Sequence, residues 1–299
     1  MLISGDLFDT ALPQTELIKE VASILKKLSD YDISVYSIPG SHDFSPSGKT
    51  MMDVLENAGL LHNVVKFDKN GKLQFTIDKT NAKITGLYGK KLGLEKFDYA
   101  RLEKSHLEKE QGFKIFMFHT ALEEFKPGEM EKMEAYSYKD LPKNFSYYAG
   151  GHVHYLFDTR KEGYGLIVYP GPLFPNNFKE IEEVKHGSIC ILDDNLNLKR
   201  VPLKLKDVKS FEINVDGEDP EGARKLIEGK IKNVKDNIVT LRIFGELISG
   251  KISDLGLSTV GRDSGAYVIL KNINKLSVKQ LEKIEVRGDT IEEIEEFVI

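Results

Sequence analysis

The sequence predicts an α/β fold, and three patterns predict it. Short apolar runs suited to strands alternate with amphipathic stretches suited to helices over the first two hundred residues. One run, Phe113 to Phe118, is apolar almost throughout, the pattern of a strand buried on both faces. From about residue 207 the alternation restarts on a smaller scale. This divides the chain into residues 1–206 and a small α+β unit, residues 207–299.

The elements follow in order. Met1-Leu2-Ile3 is a first short strand. Residues 14–29 carry Leu17, Ile18, Val21, Ala22, Leu25 and Leu28 at helical spacing, with Gln14 or Thr15 at the start after Pro13. A strand from Ile33 to Ile38 ends at Pro39-Gly40, and a helix from about Thr50 to Ala58 follows the Ser45-Pro46-Ser47-Gly48 turn. Asn70-Gly71 predicts a hairpin between Val64–Phe67 and Leu73–Ile77, and Ala82 to Leu87 supplies another strand. A charged helix is expected from Phe97 to Glu110. The long Glu-, Lys- and Met-rich loop from Thr120 to Pro142 has the character of a functional or moving segment. Strands at Leu166–Tyr169 and Ser188–Leu192 flank the rigid Pro170-Gly171-Pro172 turn. In the second unit, strands are expected at Phe211–Val215, Ile238–Phe244 and Ala266–Leu270, with a helix at Pro220–Ile231 and two short helices at the end. The last of these places Glu292, Glu293, Glu295 and Glu296 on a solvated face.

Composition narrows the function. The chain has 299 residues, 40% hydrophobic and 30% charged, ordinary for a soluble globular protein. No apolar run nears eighteen residues, so no membrane span is expected. A single cysteine, Cys190, excludes an internal disulfide, fits a reducing cytoplasmic home, and reads as a small core residue. The formal charge of −5 speaks against a protein that coats nucleic acid through a basic surface. A phosphate-bearing substrate would have to be met by local patches or by bound metal.

Four segments carry candidate chemistry: Gly5-Asp6-Leu7-Phe8-Asp9, Gly40-Ser41-His42-Asp43, His119, and Gly151-His152-Val153-His154. Asp6, His42 and His119 each stand at or just past the end of an apolar strand, where α/β sheets place their ligands. His152 and His154 are two residues apart, so extended backbone turns both to one side. A carboxylate, neutral imidazoles and a hydroxyl oxygen from Ser41 suit a pair of divalent cations. Two cations about 3.5–4 Å apart clamp a phosphodiester and acidify water. His42 is then placed to protonate a leaving oxygen. Each residue also has an ordinary reading: Asp6 and His42 as turn residues, His119 as a satisfied core histidine. His62, His106 and His186 have no motif and read as structural or surface groups. Asp43 reads as a turn residue supporting the site, and the adjacent Lys90 and Lys91 as solvated charges that could touch phosphate.

In this order, the four segments resemble the calcineurin-like metallophosphoesterases. Gly5-Asp6-Leu7-Phe8-Asp9, Phe145 to His154 and Tyr169-Pro170-Gly171-Pro172 are similar to the SbcD-type nucleases, exonuclease subunits of double-strand-break repair. Phe211 onward, with Ile238 to Arg242 and Gly245-Glu246-Leu247, resembles their capping domain. The resemblance implies a four-layer α/β/β/α sandwich with a small C-terminal α+β capping domain. It implies that Asp6 bridges two metals, with Ser41, His119 and His152 completing one and His154 contributing to the other. His42 would be the catalytic histidine, with Asp9 and Asp43 in support. Manganese, DNA ends as substrate, an SMC-like ABC ATPase of the SbcC type as partner and a homodimer are implied in the same way.

The sequence departs from that pattern in three places. The family opens with Asp-x-His on a strand ahead of Gly-Asp; the expectation is that those residues precede Met1 in the full protein, or else that the site is impaired. Ser41 stands where Asn is usual, and Asp9 where some nucleases have His. Two alternatives to a nuclease stay open: a phosphoesterase for small phosphodiesters, and a DNA-end-binding or scaffold subunit.

Overall fold

The computed structural model describes residues 1–45, 50–128 and 133–279. The expected final helix with its glutamates, and part of the Ser45–Gly48 turn and of the 120–142 loop, lie outside the described residues. The chain divides into two units. The first comprises residues 1–175 and 186–203; the second comprises residues 176–185 and those from 204 on.

The first unit contains β1 (Leu2–Ser4), α1 (Thr15–Asp30), β2 (Tyr36–Ile38), α2 (Met51–Asn57), β3 (His62–Asn63), β4 (Thr76–Ile77), β5 (Lys83–Gly86), α3 (Lys96–Arg101) and α4 (Ser105–Lys109). It continues through β6 (Lys114–His119), β7 (Tyr147–Gly151), β8 (Leu156–Lys161) and β9 (Tyr164–Pro170). Strands β1-β2-β3 form one parallel sheet, and a second sheet runs β4-β5-β6-β7-β9-β8. The centre of that second sheet, β5 to β9, is parallel; β4 and β8 are antiparallel edges.

Side-chain alternation along the central strands explains the layering. Ile115, Met117, Ala149 and Val168 point one way and meet Tyr36 and Ile38 of the smaller sheet. Phe116, Phe118, Tyr148, Ile167 and Tyr169 point the other way and meet Tyr99 and Leu107 from α3 and α4. On the far side of the smaller sheet, Leu25 of α1 and Met52 and Leu55 of α2 pack with Phe8, Val35 and Leu61. The order helix, sheet, sheet, helix is therefore the α/β arrangement expected.

Several elements differ from expectation for local reasons. The Asn70-Gly71 hairpin closes through Asp68 N–H to Lys72 O (2.9 Å), but its arms pair only at Phe67 and Leu73. The single helix expected from Phe97 to Glu110 is two, broken where Leu102 adopts extended backbone (ψ 121°). The second of them, α4, ends against Lys114, whose buried Nζ donates to Leu107 O (2.8 Å) and Glu108 O (3.3 Å). That cation satisfies carbonyls that a helix end leaves open. The 120–142 loop is anchored in its described parts by buried Phe125 and Leu141 and by pairing of Leu122 with Tyr136. β10 (Gly187–Leu192) pairs with a strand not foreseen, β11 (Leu198–Leu203), and Cys190 is half-buried there.

In the second unit, β12 (Val208–Asn214), β13 (Ile238–Leu247) and β14 (Val268–Val278) form a parallel sheet with β13 central. β14 continues to Val278 where short helices were expected to begin. Helix α6 (Pro220–Lys230) starts on Asp219, whose carboxylate accepts from Gly222 N–H at 2.7 Å, with Pro220 at its first position. Ala223 and Ile227 of α6 pack on Ile213, Leu241 and Ile243. The short helix α5 (Phe178–Glu183) belongs to this unit: Arg242 pairs with Glu182 and its guanidinium lies 5.3 Å from the Phe178 ring centre. Among the described residues, no helix is long and apolar enough to cross a membrane.

Candidate metal centre

Strands β1, β2, β6 and β7 deliver the site from their C-terminal ends. Asp6 follows β1 with φ of 53°, a left-handed conformation that costs about 1 kcal/mol in a non-glycine residue. Its carboxylate faces two groups. Oδ1 accepts the backbone N–H of His42 at 2.8 Å, and Oδ2 lies 3.1 Å from His119 Nε2. A Cβ on Gly40 would stand 2.2 Å from Asp6 Oδ1, so only glycine lets the second loop come this close.

His119 ends β6 and is 2% exposed. Its Nδ1 is 2.7 Å from Ser4 O, and a carbonyl only accepts, so Nδ1 carries the proton. The buried Nε2 has no hydrogen-bond partner although the Asp6 carboxylate is beside it. Its lone pair and the carboxylate thus face one another, an arrangement that a proton or a cation between them stabilises. The His152 ring lies edge-on to His119, with centres 5.1 Å apart. His152, like Asp6, has positive φ (79°). His154 is half-buried, and its charge acts on His152.

His42 is about half exposed. Its Nδ1 is 3.0 Å from the Asp9 carbonyl and 3.1 Å from Asp9 Oδ1. The Asp9 carbonyl raises the pKa of His42 and burial opposes it. The carboxylates of Asp6 and Asp9 raise it further, and the Lys91 charge lowers it; the net direction is up. For Asp6, burial pushes the carboxyl up, but the hydrogen bond and charge that a protonated His119 supplies, with the His42 N–H and the His42 charge, outweigh it and hold it below its ordinary value.

A family model described as calcineurin-like phosphoesterase matches residues 1–156. The chain belongs to that family. Relatives of this phosphoesterase include proteins named DNA double-strand break repair protein Mre11. That of Archaeoglobus fulgidus is 24% identical over all of this chain and 67% of its own length. That of Thermoplasma acidophilum is 29% identical, covering 88% of this chain and 69% of the relative. That of Sulfolobus acidocaldarius is 27% identical, covering 79% and 59%. The chain thus spans about two thirds of the length of these relatives.

Within the phosphoesterase unit, Asp6, His42, His119 and His152 are brought together. Ser41 is buried in the turn between Gly40 and His42. Among the described residues, no three carboxylate, imidazole or thiol groups close on a single point. The donor set is nevertheless suited to a divalent cation: an ionised carboxylate, and an imidazole whose tautomer is fixed by Ser4 O. Asp43 has a different task. It is 2% exposed and accepts from the N–H groups of Leu7 (3.1 Å), Phe8 (3.0 Å) and Gly40 (3.0 Å). It therefore ties the Asp6 loop to the His42 loop. Burial, with the Asp6 charge adding to it, raises the Asp43 pKa against these donors. The roles of the Ser4 carbonyl and of Tyr99, whose hydroxyl lies 3.4 Å from the His119 N–H, were not foreseen from the sequence.

Burial, then the charge of His119, lowers the His152 pKa from 6.5 to about 4, against the pull of Asp6. The imidazole is thus neutral at physiological pH, with a lone pair available. A lowered histidine pKa means that the unfolded chain takes up a proton before the folded one does. Stability therefore falls as pH drops from 6.5 towards 4. The contribution lost is up to ~3 kcal/mol. Urea midpoints measured in chelator between pH 7 and pH 4.5 should fall, and His152→Gln should flatten the curve. An equally steep decline in the variant would rule His152 out as its source.

Proposed function

We propose that this phosphoesterase cleaves DNA ends, hydrolysing phosphodiesters with two divalent cations, manganese by resemblance. The observation that carries the reading is the buried His119 Nε2 turned to the Asp6 carboxylate while Nδ1 is committed to Ser4 O. Asp6, Ser41, His119, His152 and His154 would hold the cations, with Asp6 shared. Bound cations supply Lewis-acid polarisation of the phosphate and lower the pKa of water.

The chain's own residues do the rest. Asp9 fixes one nitrogen of His42, which leaves the other to donate a proton to the departing oxygen. The raised pKa of His42 increases the protonated fraction at neutral pH, as a general acid requires. Asp43 holds the Asp6 and His42 loops at fixed separation, which keeps the acid in reach of the phosphate. The names of the relatives and the motif resemblance support DNA in break repair as the setting, with an SMC-like ABC ATPase, a homodimer and a cytoplasmic location.

A second reading, an end-binding subunit that does not cut, would follow if Ser41, a shorter neutral donor where Asn is usual, leaves a cation unheld. Metal counting and cleavage separate the two. Manganese-stimulated cutting of linear duplex or single-stranded DNA, with two ions per chain, is expected of the nuclease. Asp6→Asn should lose both metal and cutting. One ion or none, with no cutting, would establish the second reading. Turnover of bis(p-nitrophenyl) phosphate without DNA cleavage would instead point to small diesters.

A further inference from the structure

The loop after β5 passes directly against the site. A Cβ on Gly89 would lie 2.3 Å from His119 Cδ2 and 3.0 Å from His119 O, and the Gly89 N–H donates to Pro39 O at 2.9 Å. The backbone is thus wedged between the ends of β2 and β6. Lys90, next in the chain, is committed to structure. Its Nζ is 2.7 Å from Asp98 Oδ2 and 5.1 Å from the Tyr88 ring centre, and its N–H donates to Glu95 Oε2 at 3.2 Å.

Lys91 is exposed and has no ion pair among the described residues. Its charge reaches His42. Leu92, which follows, is 87% exposed with φ of 61°, so strained backbone presents a large apolar side chain to water. Gly93 then packs on Glu134, whose carboxylate pairs with Lys96 at 2.6 Å. The turn Lys91–Gly93 is consequently anchored at both ends, with Lys91 and Leu92 left unengaged between them.

We propose that this turn clamps the substrate strand, Lys91 taking a phosphate next to the scissile one and Leu92 covering the neighbouring nucleobase. The exposed Asp9 carboxylate beside His42 repels a polyanion, and Lys91 offsets that repulsion at the point of entry. A cation alone would serve any phosphodiester. An adjoining exposed leucine matches a base, against which apolar side chains pack in nucleic-acid complexes. This inference rests on the nuclease reading and identifies where that site engages its strand.

The test uses the full chain with manganese, a single-stranded oligonucleotide and bis(p-nitrophenyl) phosphate. Lys91→Ala should lower kcat/KM for the oligonucleotide about tenfold more than for the diester and reduce the salt slope by about one. Lys91→Arg should restore most of the loss. Leu92→Gly removes the side chain and relieves the strained φ, so folding should be at least as stable while oligonucleotide KM rises about threefold or more. Unchanged oligonucleotide kinetics in both variants, or equal losses on the two substrates, would overturn the clamp and leave the nuclease reading standing. A parent protein that hydrolyses the diester but never the oligonucleotide would overturn both.

Discussion

His42→Ala is expected to reduce phosphodiester turnover about 10²- to 10⁴-fold, the usual contribution of a positioned general acid. That corresponds to roughly 3–5 kcal/mol of barrier. The side chain is 51% exposed and, among the described residues, its ring is held by Asp9, so the fold should lose little. The contact to Asp6 comes from the His42 backbone N–H, which alanine retains. Bound metal, counted by elemental analysis, should therefore equal that of the parent. This pairing of lost turnover with retained metal separates a proton donor from a ligand. The raised pKa adds a second signature: activity should decline as pH rises through the folded-state value, above 6.5. Turnover within tenfold of the parent, or a matching loss of metal, would remove His42 from the proposed role.

How far the site could be read from the sequence follows from how each residue reaches it. Asp6, His42 and His119 lie at the ends of apolar strands, and the order of their motifs was visible because strand periodicity is local. The His152/His154 spacing was visible for the same reason. The positive φ of Asp6 and His152 was not, because backbone strain at a non-glycine residue is imposed by the tertiary surroundings. Asp43 looked like a supporting turn residue, but its three N–H donors come from two loops more than thirty residues apart in part, at Leu7, Phe8 and Gly40. Lys91 stands out in the sequence only as one of two adjacent solvated lysines that could touch phosphate. The rule that draws attention to the ends of β1, β2 and β6 applies equally to β5, and it is what distinguishes Lys91 from the other surface lysines. Edge strand β8 escaped because Asp158, Arg160 and Lys161 break its apolar pattern, and it needs only β9 to pair with. The two-helix form of residues 96–109 depends on Lys114 meeting the end of α4, a contact that no local pattern encodes.

Gly151→Ala should have the largest effect on the folded site. A Cβ there would sit 1.9 Å from Ser4 O and 2.9 Å from His119 Nδ1, two atoms that are hydrogen-bonded to each other. Neither belongs to a flexible side-chain tip: one is backbone of the last residue of β1, and the other belongs to an imidazole 2% exposed at the end of β6. Relief requires β7 and β1 to separate. Overpacking of this kind costs about 3 kcal/mol or more. For a unit of this size that lowers Tm by roughly 6–12 °C. The damage should extend beyond stability, because displacing Ser4 O releases His119 Nδ1 and with it the fixed tautomer that turns Nε2 towards Asp6. Metal affinity should fall about 10- to 100-fold, the usual consequence of losing a group that orients a ligand. Gly229→Ala is the control, since nothing lies within 4 Å of a Cβ at that position in α6. Alanine there should be neutral or stabilise by about 0.5–1 kcal/mol. If Gly151→Ala melted with the parent and bound metal as tightly, the close crossing of Ser4, Gly151 and His119 could not be what holds the centre together.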